Sequence, residues 1–175
     1  MKTIVLYKSK YGSTKDYATW IAEELGADLK ENRCIKAESL LSYDTIILGG
    51  GLYAEMIQGA TLLSKNFEML KDKKLIVFTT GVTPLDCREY YDKMVIEKNF
   101  KSEQAEKIKV FNFLGKMVMD ELTVPHRTAI KALKKLMSGK ENPTKMEKLL
   151  VDLCDIDADL TDKSAIAPLI EYAKA

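Results

Sequence analysis

Three short apolar runs, each closing on a glycine-bearing loop, limit what this chain can fold into more than any other feature. Lys2-Thr3-Ile4-Val5-Leu6-Tyr7 leads into Ser9-Lys10-Tyr11-Gly12-Ser13-Thr14, and Thr45-Ile46-Ile47-Leu48 leads into Gly49-Gly50-Gly51-Leu52-Tyr53-Ala54. Leu75-Ile76-Val77-Phe78-Thr79-Thr80 leads into Gly81-Val82-Thr83-Pro84. Near-continuous apolar strands are what a parallel sheet covered on both faces requires. Helical spacing fills the gaps: Tyr17, Trp20, Ile21 and Leu25 before a stop at Gly26, then Leu62, Leu63, Phe67 and Leu70. Such alternation with short connections implies right-handed βαβ units and an open α/β sheet.

Weaker signals complete the outline. The run Ile108–Leu114 alternates enough to sit near a sheet edge, and residues 27–35 hold a short strand diluted by Lys30, Glu31 and Arg33. A helix is expected over 86–100, and a final helix over 162–173 with Thr161 as its N-cap. Between Leu114 and that last helix, at about 115–160, the alternation stops. An excursion of this length should carry structure or function of its own. We therefore expect one domain spanning 1–175 with an insert at about 115–160.

Charge and composition exclude several classes. With 27 basic and 26 acidic residues the net charge is +1, which argues against a nucleic-acid binder. No apolar run approaches the ~20 residues of a membrane span, and Thr3–Tyr7 is too short for a signal-peptide core. Cys34, Cys87 and Cys154 are widely spaced, so neither a zinc site nor a redox pair is expected, and the reduced cytoplasm fits best. No metal is expected. Asp155-Ile156-Asp157-Ala158-Asp159 begins like a calcium loop but lacks the glycine and the closing glutamate. His126 is the only histidine, and nothing spaced around it suggests a triad or a metal cluster, so it reads as structural or solvent-exposed.

The loop Ser9–Thr14 runs from a strand straight into a helix. A phosphate there could accept from helix-start N–H groups and from Ser9, Ser13 and Thr14, with Gly12 allowing the tight turn. The alternative is an ordinary hydroxyl-capped helix. Neither Gly-x-x-x-x-Gly-Lys-[Ser/Thr] nor Gly-x-Gly-x-x-Gly occurs, so a mononucleotide phosphate fits better than a pyrophosphate. The other two loops leave neighbouring strands at their carboxyl ends, where open α/β sheets bind ligands.

The opening Met1–Thr14 resembles that of flavodoxins, and the chain is similar to the flavodoxin-like, quinone-linked protoporphyrinogen dehydrogenases, with a basic amphipathic helix in the insert ending at Met137-Ser138-Gly139. The resemblance implies a flavodoxin-like doubly wound five-stranded sheet of order 2-1-3-4-5, helices on both faces and a helical insert after the last strand. It implies FMN as cofactor, with Ser9, Lys10, Tyr11, Gly12, Ser13 and Thr14 on the phosphate. Gly51, Leu52, Tyr53 and Ala54 would lie on one side of the flavin ring, and Thr80, Gly81, Val82 and Thr83 on the other. It further implies electron transfer with a redox protein or a quinone as partner, or oxidoreduction of a small substrate. The chain departs from that branch at Tyr53-Ala54-Glu55 and at Lys140. No residue is assigned a catalytic role.

Within the insert, the spacing predicts an amphipathic helix over 126–140 beside the flavin, with Pro125 near its first turn and Gly139 past its end. Ile130, Leu133, Leu136 and Met137 form its apolar side, and Arg127, Lys131, Lys134 and Lys135 supply charge. Such a face suits a carboxylate-bearing substrate, an acidic partner or weak peripheral contact with an anionic membrane. The competing reading is a packed surface helix with solvated lysines.

Overall fold

The computed structural model describes residues 2–144, 147–148, 151–152 and 157–175. Cys154 and the start of the calcium-like run, Asp155-Ile156, lie outside them. The main sheet contains β1 (Thr3–Lys8), β2 (Asp28–Glu31), β3 (Thr45–Tyr53), β5 (Lys74–Gly81) and β6 (Ile108–Leu114), in the order β2-β1-β3-β5-β6. All four pairings are parallel. Counted over these five strands, this is the expected order 2-1-3-4-5. The sixth strand, β4 (Met56–Ile57), pairs antiparallel with the end of β3.

Strand alternation sorts the core into two layers. Ile4 and Leu6, Ile46 and Leu48, and Leu75 and Val77 face Leu40, Leu63, Phe67, Tyr91 and Val95 on one side. Val5, Ile47, Ile76 and Phe78 face Tyr17, Ile21, Phe113 and Leu169 on the other. Three strands buried on both faces explain the apolar runs. β2 is an edge strand with largely exposed side chains, which is why its sequence carries so little signal.

Helix α1 (Ser13–Leu25) ends at Gly26 in the left-handed region, as the sequence implies. The next helical stretch is split at Asn66 into α2 (Thr61–Lys65) and α3 (Phe67–Leu70). Residues 90–95 wind as a π-helical turn before α4 (Ile96–Asn99), and α5 (Ser102–Lys107) precedes β6. The C-terminal helix runs over Ala167–Lys174 behind a 3₁₀ turn at Lys163–Ile166. Its cap is Asp162 rather than Thr161: the Asp162 carboxylate accepts from Ser164 N at 2.8 Å, whereas Thr161 spends its own N–H on Asp159.

The insert leaves and rejoins the sheet at one place. β7 (Lys116–Met117) pairs antiparallel with β8 (Ala158–Asp159), and Leu160 N donates to Gly115 O at 3.2 Å. Tyr17 ties both stems together: its hydroxyl donates to Leu114 O and accepts from Asp162 N, each at 2.9 Å. Burial pushes this phenol above its ordinary pKa, so it stays neutral and keeps both roles. Tyr17→Phe strands one carbonyl and one N–H. We expect a loss of about 1–3 kcal/mol, read as a fall of roughly 2–10 °C in Tm by thermal unfolding.

Candidate functional site

The carboxyl ends of β1, β3 and β5 open into a cavity of about 660 Å³, within the usual range for small-molecule sites. It lies where strand order reverses, because β1 connects outward to β2 on one side and β3 to β5 on the other.

One end of the cavity is built to meet an anion. Gly12 (φ 98°) turns the chain into α1, a conformation that a Cβ would strain. Ser9 Oγ accepts from Gly12 N at 3.1 Å and Ser13 Oγ accepts from Lys116 N at 3.0 Å. Each hydroxyl therefore keeps its own proton to donate. Thr14 and Thr80 share one hydroxyl–hydroxyl bond at 2.7 Å, which leaves one proton of the two unspent. Ser13 and Thr14 stand at the helix start, and their N–H groups have no acceptor among the described residues. The Lys116 ammonium, 3.4 Å from Glu121 Oε2, lies 3.5 Å from where a Gly12 Cβ would stand and brings a cation from the insert to this end.

The middle of the cavity is flatter and less polar. The sequence places a loop directly after Leu48, but β3 continues as strand through Gly49–Tyr53. The three glycines pair in register with Phe78, Thr79 and Thr80 of β5, and each lacks room for a side chain: a Cβ would stand 2.1 Å from the Phe78 ring at Gly49, 2.3 Å from Gln58 O at Gly50 and 2.9 Å from the Tyr53 ring at Gly51. The turn into β4 places Ala54 (φ 48°) and Glu55 (φ 61°) in the left-handed region, the geometry of a tight hairpin with neither glycine nor asparagine. Asn99 holds it, donating to Glu55 O at 2.6 Å and accepting from Ile57 N at 2.8 Å. The Tyr53 phenol is pushed up to about 12 by burial and then by Tyr11. On the β5 side, Thr83 is buried and its carbonyl accepts from Tyr91 at 2.7 Å.

The third wall comes from the insert. Helix α6 (Val124–Ser138) carries Pro125 in its first turn and Gly139 past its end. His126, Ala129, Ile130, Leu133 and Met137 line the cavity, and no residue of α6 is buried. The helix is thus neither packed in the core nor a free surface element; its apolar stripe faces the cavity. Leu136 does not share that face and is 71% exposed, beside Val124 at 75%. The sequence misplaces it because positions 133 and 137 turn inward while 136 turns out.

His126 is the residue that sequence reasoning missed. Its Nδ1 lies 2.7 Å from the Tyr11 hydroxyl and its Nε2 lies 3.4 Å from Lys10 Nζ. Its ring packs 5.2 Å from that of Tyr53, and Tyr11 lies 6.3 Å from Tyr53. Burial, then the Lys10 charge, hold its pKa below the ordinary value, so the imidazole is neutral at pH 7. A lone histidine gives no spacing signal. The one available hint was its place on the stripe 126, 130, 133, 137.

All the sequence-predicted site residues except Gly12 line this one cavity: Ser9, Lys10, Tyr11, Ser13 and Thr14 from the first loop; Gly51, Leu52, Tyr53 and Ala54 from β3; and Thr80, Gly81, Val82 and Thr83 from β5. Gly12 shapes the turn beneath them. Glu55, Tyr90, Gly115, Lys116, Met117 and Leu122 join the lining without having been foreseen.

A family model for the flavodoxin domain matches residues 4–144. No curated protein matches the chain in sequence. Among solved structures, the chain is similar to oxidised Flavodoxin 2 from Bacillus cereus, at 25% identity over 69% of this chain and 90% of that one, with a TM-score of 0.45. It is also similar to a flavodoxin, WrbA-like protein from Agrobacterium tumefaciens, at 17% identity, 89% and 94% coverage and a TM-score of 0.46. A flavoprotein in complex with FMN from Lactobacillus acidophilus NCFM matches at 18% identity, 65% and 91% coverage and a TM-score of 0.38.

Proposed function

The chain belongs to the flavodoxin domain family, and from that premise we propose that it is a single-domain FMN-binding redox protein whose insert, at about 115–160, forms part of the site. One observation carries the reading: unspent donors from Ser9, Ser13 and the start of α1 gather at one end of a cavity whose other end is ringed by Tyr11, Tyr53 and apolar side chains. A phosphate suits the first end and a flat ring the second, so the residues fit FMN. Bound FMN supplies the electron chemistry; the protein binds, orients and shields it. Ser9, Ser13 and Thr14 with the Lys116 ammonium hold the phosphate. Leu52, Tyr53 and Ala54 would flank one side of the ring and Thr80–Thr83 the other, while Ile130, Leu133 and Met137 would exclude water.

Purified protein is expected to be yellow and to release FMN, not FAD, on denaturation. Colourless protein that also fails to take up added FMN would overturn the reading.

The finer reading is an oxidoreductase acting on a small molecule, with a quinone as electron acceptor, in the manner of the protoporphyrinogen dehydrogenases. It is supported by α6, which lies along the cavity and ends at Met137-Ser138-Gly139. The alternative is an electron shuttle to protein partners. That role favours strong charge for steering, and this chain carries a net charge of only +1. A flavin-free binding module is disfavoured by the unspent donors.

A second property concerns the outer side of α6. No helix among the described residues is long and apolar enough to cross a membrane. Exposed Val124 and Leu136 nevertheless lie on the same helix as exposed Lys131 and Lys135, which suits weak peripheral contact with an anionic membrane face. Each lysine contributes about 1 kcal/mol there, so Lys131→Gln with Lys135→Gln is expected to weaken binding to phosphatidylserine vesicles roughly 30-fold at low salt. FMN content should not change. Equal vesicle binding by both proteins would leave the outer face of α6 merely solvated.

A further inference from the structure

We propose that Lys10, His126 and Tyr11 form a proton relay serving a two-electron acceptor of the quinone class, bound in the cavity against the apolar face of α6. The proposal rests on the FMN reading above. It begins with a constraint on hydrogens. Lys10 Nζ donates to Thr123 Oγ1 at 3.3 Å and lies 3.4 Å from His126 Nε2; an ammonium has donors and no acceptor, so Nε2 faces it as the acceptor. The neutral ring then carries its proton on Nδ1, which donates to the Tyr11 oxygen at 2.7 Å. Thr123 N–H adds a second, longer donor to the same oxygen at 3.4 Å. The phenolic proton is left to give away. Its acceptor within the protein is Thr123 Oγ1 at 3.4 Å, a long contact that a ligand oxygen in the cavity can displace.

The surroundings define the ligand. Ala129, Ile130, Leu133 and Met137 offer no hydrogen bonds, and Leu122 and Met117 extend the same apolar wall. At the mouth of that wall the polar groups are Tyr11, His126 and Lys10. The neighbouring Arg127 turns its Nη2 to Asp120 O and Leu122 O, at 2.8 and 3.3 Å, and its buried Nε has no partner among the described residues. A ligand that fits has a flat apolar body and an oxygen at one edge able to accept a hydrogen bond, which is the chemistry of a quinone. The insert's position along the site favours such a small molecule over a docking protein.

Protons and electrons balance. Conversion of a quinone to a hydroquinone takes two electrons and two protons. Bound reduced FMN would supply the two electrons with one proton as hydride, and the other proton is needed on a carbonyl oxygen. The Tyr11 O–H bond breaks as that new O–H bond forms. His126 Nδ1–H moves to Tyr11 as Lys10 passes a proton to Nε2; solvent then restores exposed Lys10 and, by protonating Nδ1 and taking the proton from Nε2, the starting tautomer. Tyr11 is the catalytic residue; His126 and Lys10 are positioning residues that act through it.

Two measurements test this. In the first, the FMN-loaded, anaerobically reduced protein is mixed with a water-soluble benzoquinone or with ferricyanide, which takes one electron and no proton. For Tyr11→Phe the ratio of the quinone rate to the ferricyanide rate is expected to fall about 100-fold, the lower end of general-acid effects. The solvent deuterium isotope effect on the quinone rate should disappear with it. In the second, nitrogen-15 NMR of the protein without FMN reads the tautomer of its single histidine. The Nδ1-protonated form is expected, and Lys10→Met should erode that preference. An unchanged rate ratio, or an Nε2-protonated ring in the unaltered protein, overturns the relay while leaving FMN binding intact. Failure to take up FMN overturns the cofactor reading and the proposed step together.

Discussion

Gly49→Ala is expected to lower the stability of the protein by about 3 kcal/mol, at the upper end of the range for overpacked cores. The added Cβ would stand 2.1 Å from Cζ of Phe78 and 2.6 Å from both Cε atoms. Phe78 is fully buried, and its ring lies 5.6 Å from that of Phe113, so it cannot swing aside without opening a second fault. Gly49 is also paired on both sides, with Tyr7 of β1 and Phe78 of β5, and the strand cannot bow away. For a chain of this size the loss corresponds to roughly 6–12 °C in Tm, measured by calorimetry or circular dichroism. Phe78→Leu in the same background should recover part of the loss, because it removes the atoms that collide. A double-mutant cycle with no coupling between the two positions would show that the collision is relieved elsewhere.

Ser9→Asp should have the largest effect on cofactor binding. An aspartate can still accept from Gly12 N, as Ser9 Oγ does at 3.1 Å, so the turn into α1 is preserved. What changes is charge. A carboxylate about 4 Å from a phosphate costs roughly 4 kcal/mol in a partly exposed site, and about half of that survives compensation by Lys116 and Lys10. FMN affinity is then expected to fall between about 30-fold and 1,000-fold, read by fluorescence titration of the apoprotein. Riboflavin, which has no phosphate, should bind the variant and the unaltered protein alike. Equal losses for both ligands would show that the substitution damaged the loop rather than the anion site.

The sheet was legible because β1, β3 and β5 are covered on both faces, and burial of that kind writes itself into the chain as unbroken runs of Ile, Leu and Val. β2 was nearly silent, since an exposed edge strand places no demand on hydrophobicity. The first loop announced itself through its hydroxyls, but the bonds that leave those hydroxyls free to donate come from Lys116 N and Gly12 N, and only folding brings residue 116 to residue 13. The extension of β3 through three glycines reads as a loop by composition. It is a strand because it pairs with β1 and β5, and glycine is needed at 49 because the Phe78 ring occupies the space of a side chain there. His126 was illegible for a related reason: its partners Lys10 and Tyr11 lie more than a hundred positions away, and a single residue makes no pattern.

The two-residue pairing of β7 with β8 brings the ends of the insert side by side, and Tyr17 fastens both to the sheet. The chain between them, residues 118–157, is therefore a closed side branch hung from a fixed clip. Closing a branch of that length costs only about 2 kcal/mol more than closing one of four residues, because the entropy grows with the logarithm of length. The clip makes the branch exchangeable: a longer, shorter or differently charged one could be grafted between Met117 and Ala158 with the sheet left as it is. Since α6 supplies one wall of the cavity, such a graft would redraw what the cofactor meets while sparing what holds it. The α6 wall of the cavity and its phosphate-facing loop are in this way carried on separately replaceable parts of the same chain.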